Sequence, residues 1–217
     1  MTEGKRFVAS FSTGKDSTLA VYKAIERGMK PDGLLITYNE DLTRAWFHSI
    51  TEDVLKRYSK ALGIPIHLIR TSGDDYEENF EKKLKECRAS GAEVCVFGDI
   101  DILTHLEWGQ ERCKAAGLEA FYPLWQMDRR HAVNAFLDSG FSAYITIIDT
   151  GRVPEEYLGK KLSKELLSKM EEEGIDPCGE SGEFHTLVTD GPLFKHPFEY
   201  AFGRVEFDGR YAKLPVL

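Results

Sequence analysis

The feature that most constrains the fold is the alternation of short apolar segments with amphipathic helical patterns in the first half of the chain. Four β-prone segments occur there, namely RFVASF, DGLLITYN, IPIHLI and AEVCVFGDI, and each is followed by a helical pattern. Strands and helices that alternate at this spacing are typical of βαβ units, whose strands form a parallel sheet. We therefore expect an α/β fold in which helices flank a parallel sheet.

The pattern changes in the second half of the chain. The sequence there predicts a helix that ends at Gly140, a strand over FSAYITIID, a charged helix over Ser163–Glu173, and paired tail strands with a turn at Asp208–Gly209. We expect a smaller mixed α/β region that packs on the first. The predicted domains are residues 1–123 and 124–217.

Charge and cysteine spacing argue against several function classes. The 217 residues carry a net charge of −8, which disfavours a broad nucleic-acid surface. The four cysteines match no zinc spacing and are too few for a disulfide framework. The N-terminal residues do not form a signal peptide, and no uncharged run approaches the ~20 residues of a membrane helix. We expect a cytoplasmic protein without a membrane or nucleic-acid partner.

The polar turn STGKDS follows the first predicted strand and precedes the first predicted helix. A helix N-terminus presents unpaired N–H groups and a positive dipole end, which suit an anion, and Gly14 allows the backbone to approach it closely. Its other donors are Ser12, Thr13, Lys15 and Ser17. Asp16 suits either a helix cap or a Mg²⁺ ion beside phosphates. The spacing is not that of a Walker loop, so the turn is either another kind of phosphate site or a plain capped turn.

Two later segments add carboxylates. Asp99 follows Gly98 at the end of the fourth predicted strand, where it could bind Mg²⁺, although it or Asp101 could instead cap a helix.

The second segment, GESGE, holds Glu180 and Glu183 three residues apart. Repulsion between them would raise the pKa of one, as suits a general base, unless the loop is simply solvated. Cys178 has no evident cationic neighbour that would lower the pKa of its thiol, so we do not favour it as a nucleophile.

These motifs resemble those of known enzymes. SFSTGKDS resembles the PP-loop, S-G-G-x-D-S, of the ATP pyrophosphatases, with Thr13 at the first glycine. DPCGESGEFHTLVTDGPLF resembles G-E-G-G-E-Y/F-x-T…D-x-P-L-F, the signature of the diphthine–ammonia ligase family. The pieces STGKDS, WFHSIT, GDI, AGLEAFYPLW and DPCGESGEFHT occur in the family's order over residues 7–195. The resemblance implies a Rossmann-like (HUP-type) sheet and cleavage of ATP between its α- and β-phosphates.

The resemblance also implies a reaction and its partners. ATP would adenylate the carboxylate of diphthine, a modified histidine on a translation elongation factor, and ammonia would then displace AMP to give diphthamide. The implied ligands are ATP and Mg²⁺, and the implied partners are ammonium and the protein substrate. Whether the protein forms a homodimer stays open.

Site residues follow from the resemblance position by position. Phosphate binding falls to Ser12, Thr13, Gly14, Lys15, Asp16 and Ser17. Tyr38 and Asn39 would lie near adenosine, Gly98 and Asp99 would face the nucleotide, and Asp16 and Asp99 would hold Mg²⁺. The acceptor or ammonia site falls to His48, Gly179, Glu180, Glu183 and His185, where His48 could equally be a polar residue at a helix entry. The implied catalytic set is Lys15, Asp16, Asp99, Glu180 and Glu183.

Three other functions remain open at this point. The first is tRNA thiolation by a related PP-loop enzyme, which would favour a cysteine pair and a basic surface. The second is a nucleotide-binding module without turnover, which gives no reason for the GESGE segment. The third is the same chemistry on a different carboxylate, if the source organism makes no diphthine.

Overall fold

The computed structural model describes residues 3–45, 50–72 and 74–217. Its first region alternates strands and helices, as the sequence predicts. The elements are β1 (Arg6–Ser10), α1 (Lys15–Glu26), β2 (Lys30–Asn39), β3 (Arg44–Ala45), α2 (Glu52–Leu62), β4 (Ile66–Thr71), α3 (Tyr76–Ala89), β5 (Val94–Val96), α4 (Leu103–Ala116) and β6 (Glu119–Phe121).

Five strands of this region form one parallel sheet. β1 lies between β2 and β5, β4 pairs with the outer side of β2, and β6 pairs with the outer side of β5. The short β3 runs antiparallel to the end of β2. The predicted α/β fold with a parallel sheet is thus confirmed. The sequence did not predict β6, because three residues are too few to show a periodicity.

Burial on both faces explains why the strand segments are continuously apolar. In β1, Phe7 and Ala9 belong to a large core with α1 and α2, whereas Val8 points to the other face and packs in a core with Phe80 and Leu84 of α3. Successive side chains of a strand point to opposite faces, so helices on both sides leave no position for a polar residue. In β1, polar residues therefore appear only at the strand ends, whereas the outer strand β4 also carries the exposed His67 and Arg70.

The second region contains a separate antiparallel sheet. Its elements are α5 (Arg129–Asp138), β7 (Ser142–Asp149), a 3₁₀ helix (Glu155–Tyr157), α6 (Lys164–Glu172), β8 (Phe184–Asp190), β9 (Glu206–Asp208) and β10 (Tyr211–Lys213). The strand order is β8-β7-β10-β9. The predicted α5, β7, α6 and tail hairpin are confirmed, whereas the sequence did not predict β8.

Strand β8 brings the second sheet against the start of α1. Val188 N–H donates to the carbonyl of Thr13 at 3.0 Å, and the hydroxyl of Tyr58 in α2 donates to the carbonyl of Val188 at 2.8 Å. Buried residues of both sheets belong to one hydrophobic core, and the domain boundary at residue 123 stays a prediction. Within the described residues, no helix is both long and apolar enough to cross a membrane.

Candidate active site

A cleft of about 260 Å³ lies beyond the carboxyl ends of β1, β2 and β5. Ligands bind at this edge in open parallel sheets. The first residues of β8 close its far side. The lining residues are Ser10, Phe11, Ser12, Gly14, Lys15, Asp16, Ser17, Leu35, Thr37, Tyr76, Gly98, Asp99, His105, Gly179, Glu180, Gly182, Phe184, His185 and Thr186.

The β1–α1 turn (residues 11–17) forms one wall. Gly14 precedes the first residue of α1 without a side-chain cap. Its N–H donates to Ser12 Oγ at 3.3 Å, and Ser17 Oγ donates to the Gly14 carbonyl at 3.2 Å. Asp16 lies in the first helical turn and does not cap it, so the capping alternative for Asp16 is wrong. The hydroxyls and the helix N-terminus face the cleft, as an anion site requires.

Thr13 is the one residue of this turn that leaves the wall. It is buried, with a left-handed backbone (φ of 68°), and its Oγ1 has no hydrogen-bond partner among the described residues. A β-branched residue rarely adopts this conformation, whereas glycine does so readily. Glycine at this position of the PP-loop pattern therefore has a conformational reason, and the predicted hydroxyl contact of Thr13 with phosphate is not supported by its position.

Lys15 is buried beneath the cleft instead of extending across it. Its ammonium donates to Asp16 Oδ2 at 2.8 Å and to the carbonyl of Cys178, and it lies 5.5 Å from the ring centre of Phe184. Burial disfavours the charged form and is the largest single effect, but the charges of Asp16, Cys178 and Glu180 and the hydrogen bond to Asp16 together outweigh it and raise the pKa of Lys15. The ammonium thus stays charged and joins the β1–α1 turn to the segment near Cys178.

The glycine-rich loop (residues 176–183) forms the opposite wall and brings Glu180 toward Asp16. The ligand atoms of Asp16, Cys178 and Glu180 lie within 4.8 Å of one another. Burial raises the pKa of Glu180 from its ordinary 4.5 to about 7, and the charge of Asp16 adds to this shift. Two facing carboxylates that ionise poorly together suit a hard cation, and Mg²⁺ takes oxygen ligands.

This group contains Asp16 and Glu180 but not Asp99, so the binding of Mg²⁺ by Asp16 and Asp99 stays a prediction. Asp99 lines the cleft but is bonded to His105 instead, because His105 Nδ1 lies 3.0 Å from Asp99 Oδ1. This hydrogen bond raises the pKa of His105, against the opposing effect of burial. His105 was not predicted from the sequence. Its position in the first turn of α4, six residues after Asp99, was the signal that could have found it.

Glu183 does not lie on the cleft wall. Its carboxylate is 7% exposed and pairs with Arg152 through one oxygen, while the other oxygen has no partner among the described residues. Arg152 also donates to the carbonyl of Ser181 at 2.8 Å. The raised pKa that the sequence attributed to the two glutamates does exist, but burial and Asp16 cause it. Arg152 was not predicted, and no motif marks it.

Three other predicted residues have different outcomes. Tyr38 is buried with Arg70 above its ring, and Asn39 accepts a hydrogen bond from the N–H of Leu42, so neither reaches the cleft. Thr37, one position earlier on β2, faces the cleft because strand side chains alternate. His48 lies outside the described residues.

His185 and Cys178 differ in their access to the cleft. His185 lines it, and burial lowers the pKa of its imidazole to about 4, so the ring is neutral at pH 7. Cys178 is buried, and its Sγ lies 3.8 Å from Asp16 Oδ1. Lys15 does supply a cationic neighbour for Cys178, which the sequence did not reveal. Burial nevertheless outweighs Lys15 and raises the pKa of the thiol, so a thiolate nucleophile is not favoured.

Comparison with known proteins gives consistent matches. The curated relative from Schizosaccharomyces pombe, named diphthine–ammonia ligase, is 25% identical over 206 residues, which cover 85% of this chain and 34% of the relative. The relative of the same name from Rattus norvegicus is 25% identical over 220 residues, which cover 88% of this chain and 80% of that relative. The chain therefore spans about a third of the yeast relative but most of the rat one.

A solved structure is also similar to this chain. It is described as a predicted subunit of tRNA methyltransferase from Methanocaldococcus jannaschii, and it is 16% identical with a TM-score of 0.47, over 87% of this chain and 98% of that chain. This likeness carries no weight for function.

Two family models account for nearly the whole sequence. Residues 5–120 match the diphthamide synthase N-terminal domain, and residues 128–213 match the diphthamide synthase C-terminal domain. The β1–α1 turn lies in the first match and the glycine-rich loop in the second, so both walls of the cleft fall within this family's sequence pattern. The chain belongs to the diphthamide synthase family.

Proposed function

We propose that the protein is an AMP-forming ligase that adenylates a carboxylate with ATP and then transfers ammonia to it. One observation carries the proposal. The cleft joins the N-terminus of α1, which suits an anion, to a pair of facing carboxylates, Asp16 and Glu180, that lie far apart in the sequence. This combination suits a nucleotide with its metal ion, and the family membership supports the ligase reaction.

The chemistry requires two steps. A carboxylate does not accept ammonia directly, because oxide is too poor a leaving group. In the first step a carboxylate oxygen bonds to the α-phosphorus of ATP, and the bond from that phosphorus to the bridging oxygen breaks, releasing pyrophosphate. In the second step ammonia bonds to the acyl carbon, AMP leaves with the former carboxylate oxygen, and one proton is released.

Residues of both walls fit the first step. The hydroxyls of Ser12 and Ser17 and the N-terminus of α1 would orient the phosphates. Asp16 and Glu180 would hold Mg²⁺, which when bound offsets the negative charge of the leaving pyrophosphate. Lys15 would keep Asp16 in place and neutralise part of the acidic group. Removal of one such electrostatic contact typically costs ~10²–10³-fold in rate.

The second step needs a group that accepts a proton. His105 lines the cleft, and its bond to Asp99 leaves Nε2 as the nitrogen free of that contact. We assign proton acceptance to Nε2, with Asp99 orienting the ring. The neutral ring of His185 would line the acceptor side without adding a charge. Glu183 is left out of the chemistry, because Arg152 holds it away from the cleft.

The acceptor is the least constrained part of the proposal. By analogy with the relatives named diphthine–ammonia ligase, we propose diphthine on a translation elongation factor. The matched region covers only a third of the yeast relative. The proposal therefore concerns only the contacts that this chain makes with a protein substrate.

The test measures AMP and pyrophosphate from ATP with Mg²⁺ and ammonium chloride. The acceptor arms are a diphthine-bearing elongation factor, the same factor lacking the modification, and buffer. We expect AMP only with the modified factor, together with the mass change from acid to amide. Asp16→Asn should lower the rate at least ~100-fold, whereas the exposed Glu172→Gln should not. Absence of AMP in every arm would contradict the ligase proposal, and AMP without amide would contradict the ammonia step.

A further inference from the structure

Arg129, the first residue of α5, lies between the two loops that face each other across the cleft. Its Nε and Nη2 donate to the two carboxylate oxygens of Asp101 at 2.7 and 2.8 Å, in the bidentate geometry that suits a planar guanidinium. Its Nη1 donates to Asp176 Oδ2 and, at 3.4 Å, to Ser181 Oγ. One side chain therefore joins the β5–α4 loop (residues 97–102) to the glycine-rich loop.

Each of these contacts is close to a residue of the site. Asp101 lies two residues after Asp99. Asp176 Oδ1 accepts the N–H of Cys178 at 2.9 Å, and Ser181 follows Glu180. Arg129 thus holds both loops near the residues that face the cleft.

A direct contact between the two loops depends on their spacing. The N–H of Ile100 donates to Glu180 Oε1 at 3.4 Å, near the limit of a hydrogen bond. A small separation of the loops would break this bond and move the Glu180 carboxylate relative to Asp16.

We propose that Arg129 is a positioning residue that fixes the distance between the β5–α4 loop and the glycine-rich loop, and thereby the place of Glu180 in the cleft. The role rests on the proposed function, because it matters for chemistry only if Glu180 takes part in handling the nucleotide. Arg129 acts through Asp101 and Asp176 and touches no reacting atom itself. Displacement of a reacting group by ~1 Å can cost ~100-fold in rate.

A purely local role for Arg129 does not explain its contacts. The start of α5 is already capped by Asp128, whose carboxylate accepts the N–H of His131 at 2.9 Å. The side chain of Arg129 is 32% exposed and that of Asp176 is 15% exposed, so solvent does not fully replace their interaction. An arginine here keeps its charge at every working pH, and its rigid fork can bind two partners at fixed angles.

The next residue provides a matched control. Arg130 has the same side chain on the same helix, but it donates to Glu171 Oε2 at 2.7 Å and to Ser168 Oγ at 3.3 Å, both on α6. Loss of Arg130 removes an arginine and an ion pair without touching either loop. Asp101→Asn gives a second route to the same disturbance as Arg129→Gln.

The experiment uses the full chain and compares the wild type with Arg129→Gln, Asp101→Asn and Arg130→Gln. Hydrogen exchange of the peptide that contains residues 176–183 reports loop order. Calorimetry with α,β-methylene-ATP and Mg²⁺ reports nucleotide affinity without needing an acceptor. Steady-state AMP formation then gives kcat and the KM for ATP.

We expect exchange in residues 176–183 to be at least tenfold faster in Arg129→Gln and Asp101→Asn and unchanged in Arg130→Gln. The first two variants should bind the analogue at least threefold more weakly and lose about 10- to 100-fold in kcat, more than any change in KM. Arg129→Lys should recover part of the loss, because it keeps the charge but not the fork.

Three outcomes would overturn the proposal. These are unchanged exchange in Arg129→Gln, equal effects of Arg129→Gln and Arg130→Gln, and faster exchange with unaltered analogue affinity. If the wild type binds the analogue but forms no AMP, the ligase reaction fails, and the exchange and affinity results still decide the role of Arg129. If the wild type does not bind the analogue, both proposals fail.

Discussion

The β1–α1 turn and the glycine-rich loop line the same cleft from opposite sides. The turn is bounded by a strand and a helix, and it is held by bonds between neighbours, such as Thr18 Oγ1 to the Gly14 carbonyl at 2.8 Å. The glycine-rich loop lies between α6 and β8, and three cations from elsewhere in the chain contact it. These are Lys15, Arg129 and Arg152.

This difference separates what a motif encodes from what tertiary contacts encode. Bonds between neighbours and the flanking elements define most of the turn, so its residues carry a readable signal. Strand β8 adds two bonds, from the Val188 N–H to the Thr13 carbonyl and from the Lys15 N–H to Thr186 Oγ1. The loop has local bonds too, such as the Gly182 N–H to the Gly179 carbonyl at 3.1 Å, but distant basic side chains also bind its carbonyls and carboxylates. If this contrast holds, substitutions in the loop's distant partners should mimic substitutions in the loop itself.

The largest expected effect tests whether the turn is as self-contained as its bonds suggest. Gly98 lies two residues after the end of β5, and a Cβ there would lie 2.8 Å from Ser17 N and 2.9 Å from the carbonyl carbon of Asp16. Since both are backbone atoms at the start of α1, Gly98→Ala must displace the helix. We expect a loss of ~2–3 kcal/mol in the free energy of unfolding, measured in urea, and loss of α,β-methylene-ATP binding.

Gly203→Ala is the control for this substitution, because its added Cβ would meet only Pro215 at an ordinary 3.4 Å. Wild-type stability and binding in Gly98→Ala would show that the turn does not depend on close packing against β5.

The second prediction concerns Arg152 and Glu183, which couple the glycine-rich loop to the end of β7. Arg152→Met leaves a buried carboxylate without its partner, so we expect a loss of ~2–3 kcal/mol, whereas Glu183→Gln should cost ~1 kcal/mol. The double variant should resemble Glu183→Gln, with a coupling of ~2–3 kcal/mol. Urea unfolding of the four proteins gives the cycle.

The same four proteins decide the role of Glu183. If Glu183 only positions the loop, Arg152→Met should impair amide formation at least as much as Glu183→Gln. If Glu183→Gln abolishes amide formation while Arg152→Met retains it, Glu183 returns to the catalytic set.

The third prediction concerns the pH dependence of stability that Glu180 causes in the wall opposite Asp16. The pKa of Glu180 is about 7 in the folded protein, against an ordinary 4.5. Between about pH 4.5 and 7, Glu180 therefore keeps its proton in the folded state but has lost it in the unfolded state. The free energy of unfolding falls as the pH rises through this range. Because the side chain is partly exposed and thus screened, we expect Glu180→Gln to gain ~1–2 kcal/mol over the wild type between pH 4.5 and 8.

The measurement is urea unfolding at both pH values in EDTA, with Glu172→Gln as the exposed control. Mg²⁺ should reduce the difference at pH 8, because a cation between Asp16 and Glu180 favours both ionised forms. A difference between Glu180→Gln and the wild type that does not change with pH would refute the raised pKa.

The sequence predicted the parallel sheet and most of the cleft's own residues for a physical reason. Strand ends, helix starts and their polar residues are adjacent in sequence, so Ser12, Asp16 and Asp99 could be placed at one edge. Residues that act across the fold could not be placed in this way. Arg129 and Arg152 belong to no motif. Glu183 was predicted to be catalytic because its burial against Arg152 depends on the pairing of β7 with β8, which the sequence does not reveal.

The smallest expected effect concerns Thr13, which tests the backbone of the turn alone. The left-handed conformation of Thr13 suits glycine, while Thr13→Ala and Thr13→Gly both remove the buried hydroxyl and methyl groups. The two variants thus differ mainly in the free energy that a residue with a Cβ loses in the left-handed conformation. The glycine variant should therefore be more stable by ~1 kcal/mol. Urea unfolding measures this difference. A glycine variant no more stable than the alanine variant would mean that the turn is not left-handed at this residue, and the explanation for glycine in the PP-loop pattern would be lost with it.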